Sequence, residues 1–492
     1  MAMAMAANAA QGAKRATFRH SNFPGHKLTL TSSAKTSHST AFKTLLAGNS
    51  VTPDGSQPNQ LCDRNVAQHY GYMTTPQGRR LFFWFFESRR SPSKDPFVVW
   101  SNGGPGCSSL FGLFGELGPC FARPDNKTTA LNPFSWNNVA NMLFIDHPFG
   151  VGFSNYTDTS TSGRPVDSEQ AAADFGAFIQ LFMKQFPKYA KLDFHITGES
   201  YSGRYIPNMA THLLNQSGPD IIKVNLKSIA LGNPMLEPLT QYKYFSAQAC
   251  RSPYPPILNQ TVCAEFDKIY DTQCAPLIEQ CYSDPRNGTI CSNAKNVCDA
   301  IPGYDISPAS PYDVRIPQQP DSYRGAFDQY LSQDYVRSTL GVKVDYIECS
   351  DEVYDVFVAS GDWMRPHHRL IPPLLSKGIR VLIYAGDADY ACSAIGIKAA
   401  VFALEWAGKS GFAKAPKRNW SVNGKVAGES WKYRNFAYVS VFEAGHMVPT
   451  NQPERALAMI TTWLEGGVVA GHYRVSGYKG LTMESASKNP IP

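Results

Sequence analysis

The chain has 492 residues, 43% hydrophobic and 12% aromatic, enough to bury a large core and too many for one small domain. Its formal net charge of +6 resides in the first 50 residues, where Lys14, Arg15, Arg19, Lys27, Lys35 and Lys43 stand without any acid, and the remainder balances 40 basic against 40 acidic residues. That balance leaves no basic stripe for nucleic acid, and the absence of a run of about 18 apolar residues argues against a membrane-spanning helix, so a soluble protein is expected.

Residues 1–60 lack aromatic clusters and periodic apolar spacing, and read as a targeting, pro- or disordered segment. They hold no apolar run of about 7–15 residues as a secretory signal would. Their basic, Ser/Thr-rich, acid-free character resembles an organellar transit segment (plastid or mitochondrial), with a pro-segment or a misassigned start as alternatives. The folded domain is expected over 61–492.

From Tyr70 the texture changes to short apolar runs bounded by polar residues and prolines. Residues 81–87 (LFFWFFE), 97–101 (FVVWS) and 141–146 (NMLFID) predict strands. Asp167 and Ser168 offer an N-cap to a helix whose Phe175, Phe178, Ile179 and Phe182 share one face and which ends before Pro187. Residues 193–197 predict a strand, 204–215 a helix and 226–231 a strand. This alternation predicts an α/β fold with a mostly parallel central sheet and helices on both faces. It breaks over about 240–350, read as a cap insertion, and resumes with strands at 381–385 and 437–442 and a helix carrying Leu457, Ile460 and Leu464.

Six of the eleven cysteines, Cys250, Cys263, Cys274, Cys281, Cys291 and Cys298, crowd the insertion and suggest a stapled loop region in an oxidising compartment. No C-x-x-C pair favours a zinc ribbon. N-x-S/T triplets at Asn126, Asn155, Asn215, Asn259, Asn287 and Asn419 agree with passage through the secretory pathway to a vacuole, a lysosome or the outside.

Chemistry concentrates where strands end. Ser200 lies in Gly198-Glu199-Ser200-Tyr201-Ser202-Gly203, between a strand and a helix, the position of a nucleophile held above a sheet; Ser202 replaces the second glycine of the usual G-x-S-x-G. Two later strand ends carry an acid and then a histidine: Gly386-Asp387-Ala388-Asp389, and Glu443-Ala444-Gly445-His446. A serine hydroxyl needs a base to take its proton, and the base needs a carboxylate to fix its tautomer. The loop Asn102-Gly103-Gly104-Pro105-Gly106-Cys107 lets backbone approach a substrate, and the N–H groups of Gly104 and Tyr201 are the candidate oxyanion donors. Glu199 and Glu116 are two further acids; if close, they would share a proton that could be donated to a substrate's terminal carboxylate, giving exopeptidase specificity and an acidic optimum.

The strings WSNGGPGCSS, GESYSGRYIP, YAGDAD and FEAGHMVP resemble the signatures of the serine carboxypeptidase family over roughly residues 60–465. The resemblance implies the α/β-hydrolase fold, a Ser200–Asp389–His446 triad, an oxyanion hole at Gly104 and Tyr201, and a carboxylate site of Asn102, Gly103, Glu116 and Glu199. It implies disulfides Cys107–Cys349, Cys250–Cys263, Cys274–Cys298 and Cys281–Cys291, with Cys392 a free thiol near the site; a Cys62–Cys120 pair is a guess. It implies no metal or cofactor, and peptide or protein C-termini as substrates. His367 and His368 read as surface residues. An acyltransferase on the same scaffold would carry Asp before the serine and a changed Asn, whereas Glu199 and Asn102 are both present; an inert relative would lack part of this machinery. The preferred C-terminal residue, processing of the insertion, and monomer or homodimer all stay open.

Overall fold

The computed structural model describes residues 15–32, 61–157, 166–301, 306, 308–317 and 325–477. Among these, strands β1 (Arg15–His20), β2 (Phe23–Ser32), β3 (Gln68–Thr74), β4 (Arg79–Phe86), β5 (Phe97–Ser101), β6 (Asn141–Ile145), β7 (Asp193–Glu199), β8 (Asn225–Gly232), β9 (Arg380–Gly386), β10 (Arg418–Val422), β11 (Lys425–Tyr433), β12 (Phe436–Val441) and β13 (Gly471–Tyr473) join one sheet in the order β1-β2-β3-β4-β6-β5-β7-β8-β9-β12-β11-β10-β13. The six central strands β6, β5, β7, β8, β9 and β12 are parallel. They are apolar on both faces because helices cover both. Antiparallel strands extend the sheet on either side, and β13 ends it on one edge by pairing parallel to β10.

Strand parity sorts the core into two layers. Leu81, Phe83 and Phe85 of β4 join Phe97 and Val99 in one layer, whereas Phe82, Trp84 and Phe86 join Val98, Trp100 and Trp136 in the other. Helix α1 (Ser168–Gln185) closes the first layer with Phe175, Phe178, Ile179 and Phe182, all fully buried. Its N-cap is Asp167, whose carboxylate accepts from Gln170 N at 2.9 Å. Truncating Phe182 to alanine would cost about 3–5 kcal/mol through transfer and cavity together. Helix α2 (Ser202–Asn215) follows β7 directly and packs against β8 and β7.

Two expectations give way. Within the first 60 residues, 15–32 form β1 and β2 rather than an unstructured segment. Leu28 and Leu30 alternate with Lys27 and Thr29, which turns both leucines, 0% and 3% exposed, onto the layer beneath α1. The alternation is short and sits in basic, hydroxyl-rich sequence that hides it. The rest of 1–60 lies outside the described residues.

The cysteine-rich insertion is likewise helical rather than a set of loops, with Phe245–Arg251, Gln260–Ile269, Ala275–Ser283 and α3 (Gly288–Cys298). Asn259 and Asn287 cap two of these helices, accepting from Val262 N and Ile290 N. Cys274 and Cys281 lie two helical turns apart, as do Cys291 and Cys298, so each pair shares a face and the bridges Cys274–Cys298 and Cys281–Cys291 fasten two neighbouring helical segments. Further bridges join Cys250–Cys263, Cys107–Cys349 and Cys62–Cys120, and Cys392 is free and buried.

Candidate active site

Ser200 occupies the turn between β7 and α2 with φ of 61°, a left-handed conformation that costs a non-glycine residue about 1–3 kcal/mol and persists only where neighbours enforce it. Ser200 N donates to Gly232 O at 3.0 Å, and Ser200 O accepts from Gly203 N and Met235 N at 3.0 and 2.9 Å. Ser202, standing where a glycine is usual, donates its hydroxyl to Ser101 O and Asn102 O at 2.8 and 2.9 Å, tying the turn to the end of β5.

The loops after β9 and β12 bring the acid and the histidine together. His446 Nδ1 lies 2.8 Å from Asp389 Oδ2, which leaves Nε2 as the nitrogen available to a hydroxyl. The other aspartate of the first loop, Asp387, instead accepts from Tyr254 OH at 2.7 Å. Asp389 also accepts from Asn233 Nδ2 at 2.7 Å and Cys392 N at 3.4 Å. Burial works against a charged imidazole here, but the adjacent Asp389 carboxylate more than offsets it and the His446 pKa is raised. Cys392 is in hydrogen-bonding contact with Ser200, and burial, then the Asp389 and Glu199 charges, push its thiol well above the ordinary value. Among the described residues, the side chains able to converge on a cation are Asp389, Cys392 and His446, within 4.8 Å of one another.

Gly103 and Gly104 run against the serine turn. A side chain on Gly103 would meet Tyr201 N at 2.4 Å and Ser200 Cβ at 2.7 Å, and Gly104 has φ of 110°. Behind this turn lies the second group of acids. Asn102 Oδ1 accepts from Trp100 Nε1 at 2.7 Å and Gly112 N at 3.0 Å, which orients its amide so that Nδ2 donates to Glu116 Oε1 at 3.1 Å and Glu199 Oε1 at 3.0 Å. Glu116 ends the short helical turn Gly112–Glu116, and the two carboxyls are 1% and 4% exposed. Burial raises the Glu116 pKa to about 7, and burial followed by the neighbouring Glu116 charge raises Glu199 well above the ordinary value. Burial and the proximity of the two carboxyls together favour one proton on the pair over full ionisation.

Sequence reasoning missed three features. Asn233, just past β8, holds the Gly386–Asp389 loop at two points, Nδ2 donating to Asp389 and Oδ1 accepting from Gly386 N; an Asn-Pro dipeptide at a strand end was the available signal. The hairpin of Ala309–Ser310 and Asp313–Pro317 clasps both loops: Tyr312 O accepts from His446 N at 2.7 Å and Pro311 O from Ala391 N at 2.8 Å, and the Tyr312 ring lies 5.3 Å from the His446 ring. No local pattern marks it. Finally, His367 is no surface residue, being 8% exposed with Nε2 3.1 Å from Asp362 Oδ1 and Nδ1 2.9 Å from Asn208 Nδ2, while His368 is half-buried.

The family model described as serine carboxypeptidase matches residues 56–466. Carboxypeptidase Y of Schizosaccharomyces pombe is 43% identical over 434 residues, covering 84% of this chain, which spans only 43% of that relative's length. A carboxypeptidase Y homolog A of Coccidioides posadasii is 41% identical over 424 residues, covering 83% of this chain and 76% of that protein. Among solved structures, a prohormone-processing carboxypeptidase from Saccharomyces cerevisiae superposes with a TM-score of 0.70 at 25% identity, covering 82% of this chain and 93% of that one. With an α/β-hydrolase fold, and a family match that runs from before β3 to beyond His446, the chain belongs to the serine carboxypeptidase family, serine-type hydrolases that act as exopeptidases.

Proposed function

We propose that the protein removes single residues from the C-termini of peptides and proteins through an acyl-enzyme on Ser200. His446 Nε2 takes the Ser200 proton as Oγ attacks the last peptide carbonyl, and returns it to the departing amino group. Water, deprotonated by the same nitrogen, then attacks the ester and releases the shortened peptide. Asp389 holds the imidazole in the needed tautomer and steadies its positive charge. The N–H groups of Gly104 and Tyr201 take the developing oxyanion, each worth about 10²–10³ in turnover if removed.

The observation that carries the exopeptidase reading is the buried Glu116–Glu199 pair hung from Asn102 beside the nucleophile. An ionised pair would repel a peptide's terminal carboxylate; a pair that keeps one proton can donate to it, with Asn102 and the Gly103 backbone completing the site. Activity should therefore favour acid over alkaline pH. Five disulfides support residence in an oxidising compartment, such as a vacuole or the secretory pathway.

The test is release of the C-terminal residue from an N-blocked dipeptide, alongside labelling by phenylmethanesulfonyl fluoride. Release that Ser200→Ala abolishes, with label on Ser200, is the expected result. Absence of both in a folded protein, or label elsewhere, would overturn the proposal.

A further inference from the structure

The serine turn is clamped from both sides. Upstream, Glu199 is held through Asn102; downstream, the residue after the serine reaches away from the substrate side. Tyr201 is 1% exposed and its ring packs against Tyr205, Trp363 and Phe357, with centroids 5.3, 5.2 and 6.3 Å away. Its hydroxyl donates to Asp362 Oδ2 at 2.7 Å.

Asp362 is fully buried and meets donors from three other places. Ser168 at the start of α1 gives its N–H to Oδ1 at 3.0 Å and its hydroxyl to Oδ2 at 2.6 Å. His367 accepts the Asn208 amide at Nδ1, so its Nε2 is the donor to Oδ1 at 3.1 Å, and Arg365 Nη1 stands 3.8 Å off. Burial opposes the charge, yet His367 and Ser168 overcome it and hold the carboxyl well below the usual carboxylate range. The turn Asp362–Met364 is itself fastened to α2: Arg204, 0% exposed, donates to Trp363 O and Arg365 O, both at 2.7 Å.

We infer that Asp362 is a positioning residue for the reaction, anchoring the Tyr201 phenol so that the Tyr201 peptide N–H stays aimed at the oxyanion. The peptide plane after Ser200 is held at its carbonyl by Gly203 N and Met235 N, and the Tyr201 phenol adds a tether on the N–H side. Here one buried carboxylate ties it to the start of α1 and, through His367 and Asn208, to α2. This inference rests on the proposed nucleophile and oxyanion donors.

Tyr201→Phe keeps the ring and removes the hydroxyl, and Asp362→Asn keeps the volume and removes the charge. Steady-state kinetics on a blocked dipeptide would be paired with affinities for a peptide aldehyde, which forms an oxyanion on the serine, and for the peptide product, which does not. Deleting a donor outright costs about 10²–10³, so displacing one should lower kcat about tenfold with KM held within about twofold. Aldehyde affinity should fall in step with kcat while product affinity holds, and the double variant should be no worse than the poorer single, because both cut the same link.

A folded Tyr201→Phe with unchanged kcat, a loss confined to KM, parallel weakening of aldehyde and product, or additive effects in the double variant would each overturn the inference. Should Asp362→Asn fail to fold, Tyr201→Phe alone decides. Ser200→Ala run in parallel separates the two levels: residual full activity there sinks the proposed mechanism, whereas a dead Ser200→Ala beside a fully active Tyr201→Phe sinks only the role of Asp362.

Discussion

On one side of Ser200, Asp389 accepts from three donors, His446 Nδ1, Asn233 Nδ2 and Cys392 N; on the other, Glu199 shares the single amide of Asn102 with a second carboxyl. Both groups are buried around the same serine turn. A surplus of donors suits a carboxylate that must stay charged beside an imidazolium, and a deficit forces two carboxyls to share a proton. Burial alone therefore does not set the role of an acid; the count of donors around it does.

Removing what both groups serve gives the largest effect: Ser200→Ala should lower kcat about 10⁶-fold, measured as release of the C-terminal residue. Breaking the donor-rich side, Asp389→Asn should cost about 10⁴ in kcat by leaving His446 in the wrong tautomer, with KM little changed. Residual activity near the native level would mean that the imidazole is held by something else.

The donor-poor side is probed by pH. With Glu116 ionised above about 7, the last proton of the pair rests on Glu199, whose value lies well above the ordinary one, so KM for free-acid substrates should climb as alkaline pH removes that proton. Glu116→Gln, which carries amide donors at every pH, should flatten that climb. Stability shifts with it. The native carboxyl titrates at about 7 instead of 4.5, so the folded state binds more protons between those values and is destabilised as pH rises through that window. Urea unfolding should show this slope in the native protein and a shallower one in Glu116→Gln. The smallest effect belongs to Asn233→Ala, which removes one of three donors to Asp389 and should lower kcat about fivefold, the worth of about 1 kcal/mol.

The two groups differed in how they could be read. Ser200, Asp389 and His446 each follow a strand of the parallel sheet, so local pattern and chain order sufficed to nominate them. Glu116 and Glu199 were legible as acids near the nucleophile, but only Asn102 in three dimensions makes them a pair. Asn233, the hairpin around Tyr312 and the buried His367 escaped because each acts through contacts remote in sequence, where no periodicity points.

The sheet's parallel core was legible from its apolar runs. The strands at 15–32 were not, because two leucines alternating with threonines carry little signal among lysines and serines. The helices of the insertion escaped because they are short and their buried faces are built largely from cysteines, although the matched spacings of Cys274/Cys281 and Cys291/Cys298 were there to be read.

The most direct test compares kcat/KM for a blocked dipeptide and its C-terminally amidated twin from pH 4 into the alkaline range. The free acid should be strongly preferred at pH 5, and that preference should shrink only as alkaline pH strips the last proton from the pair. Equal rates on the two substrates at every pH, or a preference that grows toward alkaline pH, would contradict a proton-sharing glutamate pair as the reader of the substrate's carboxylate.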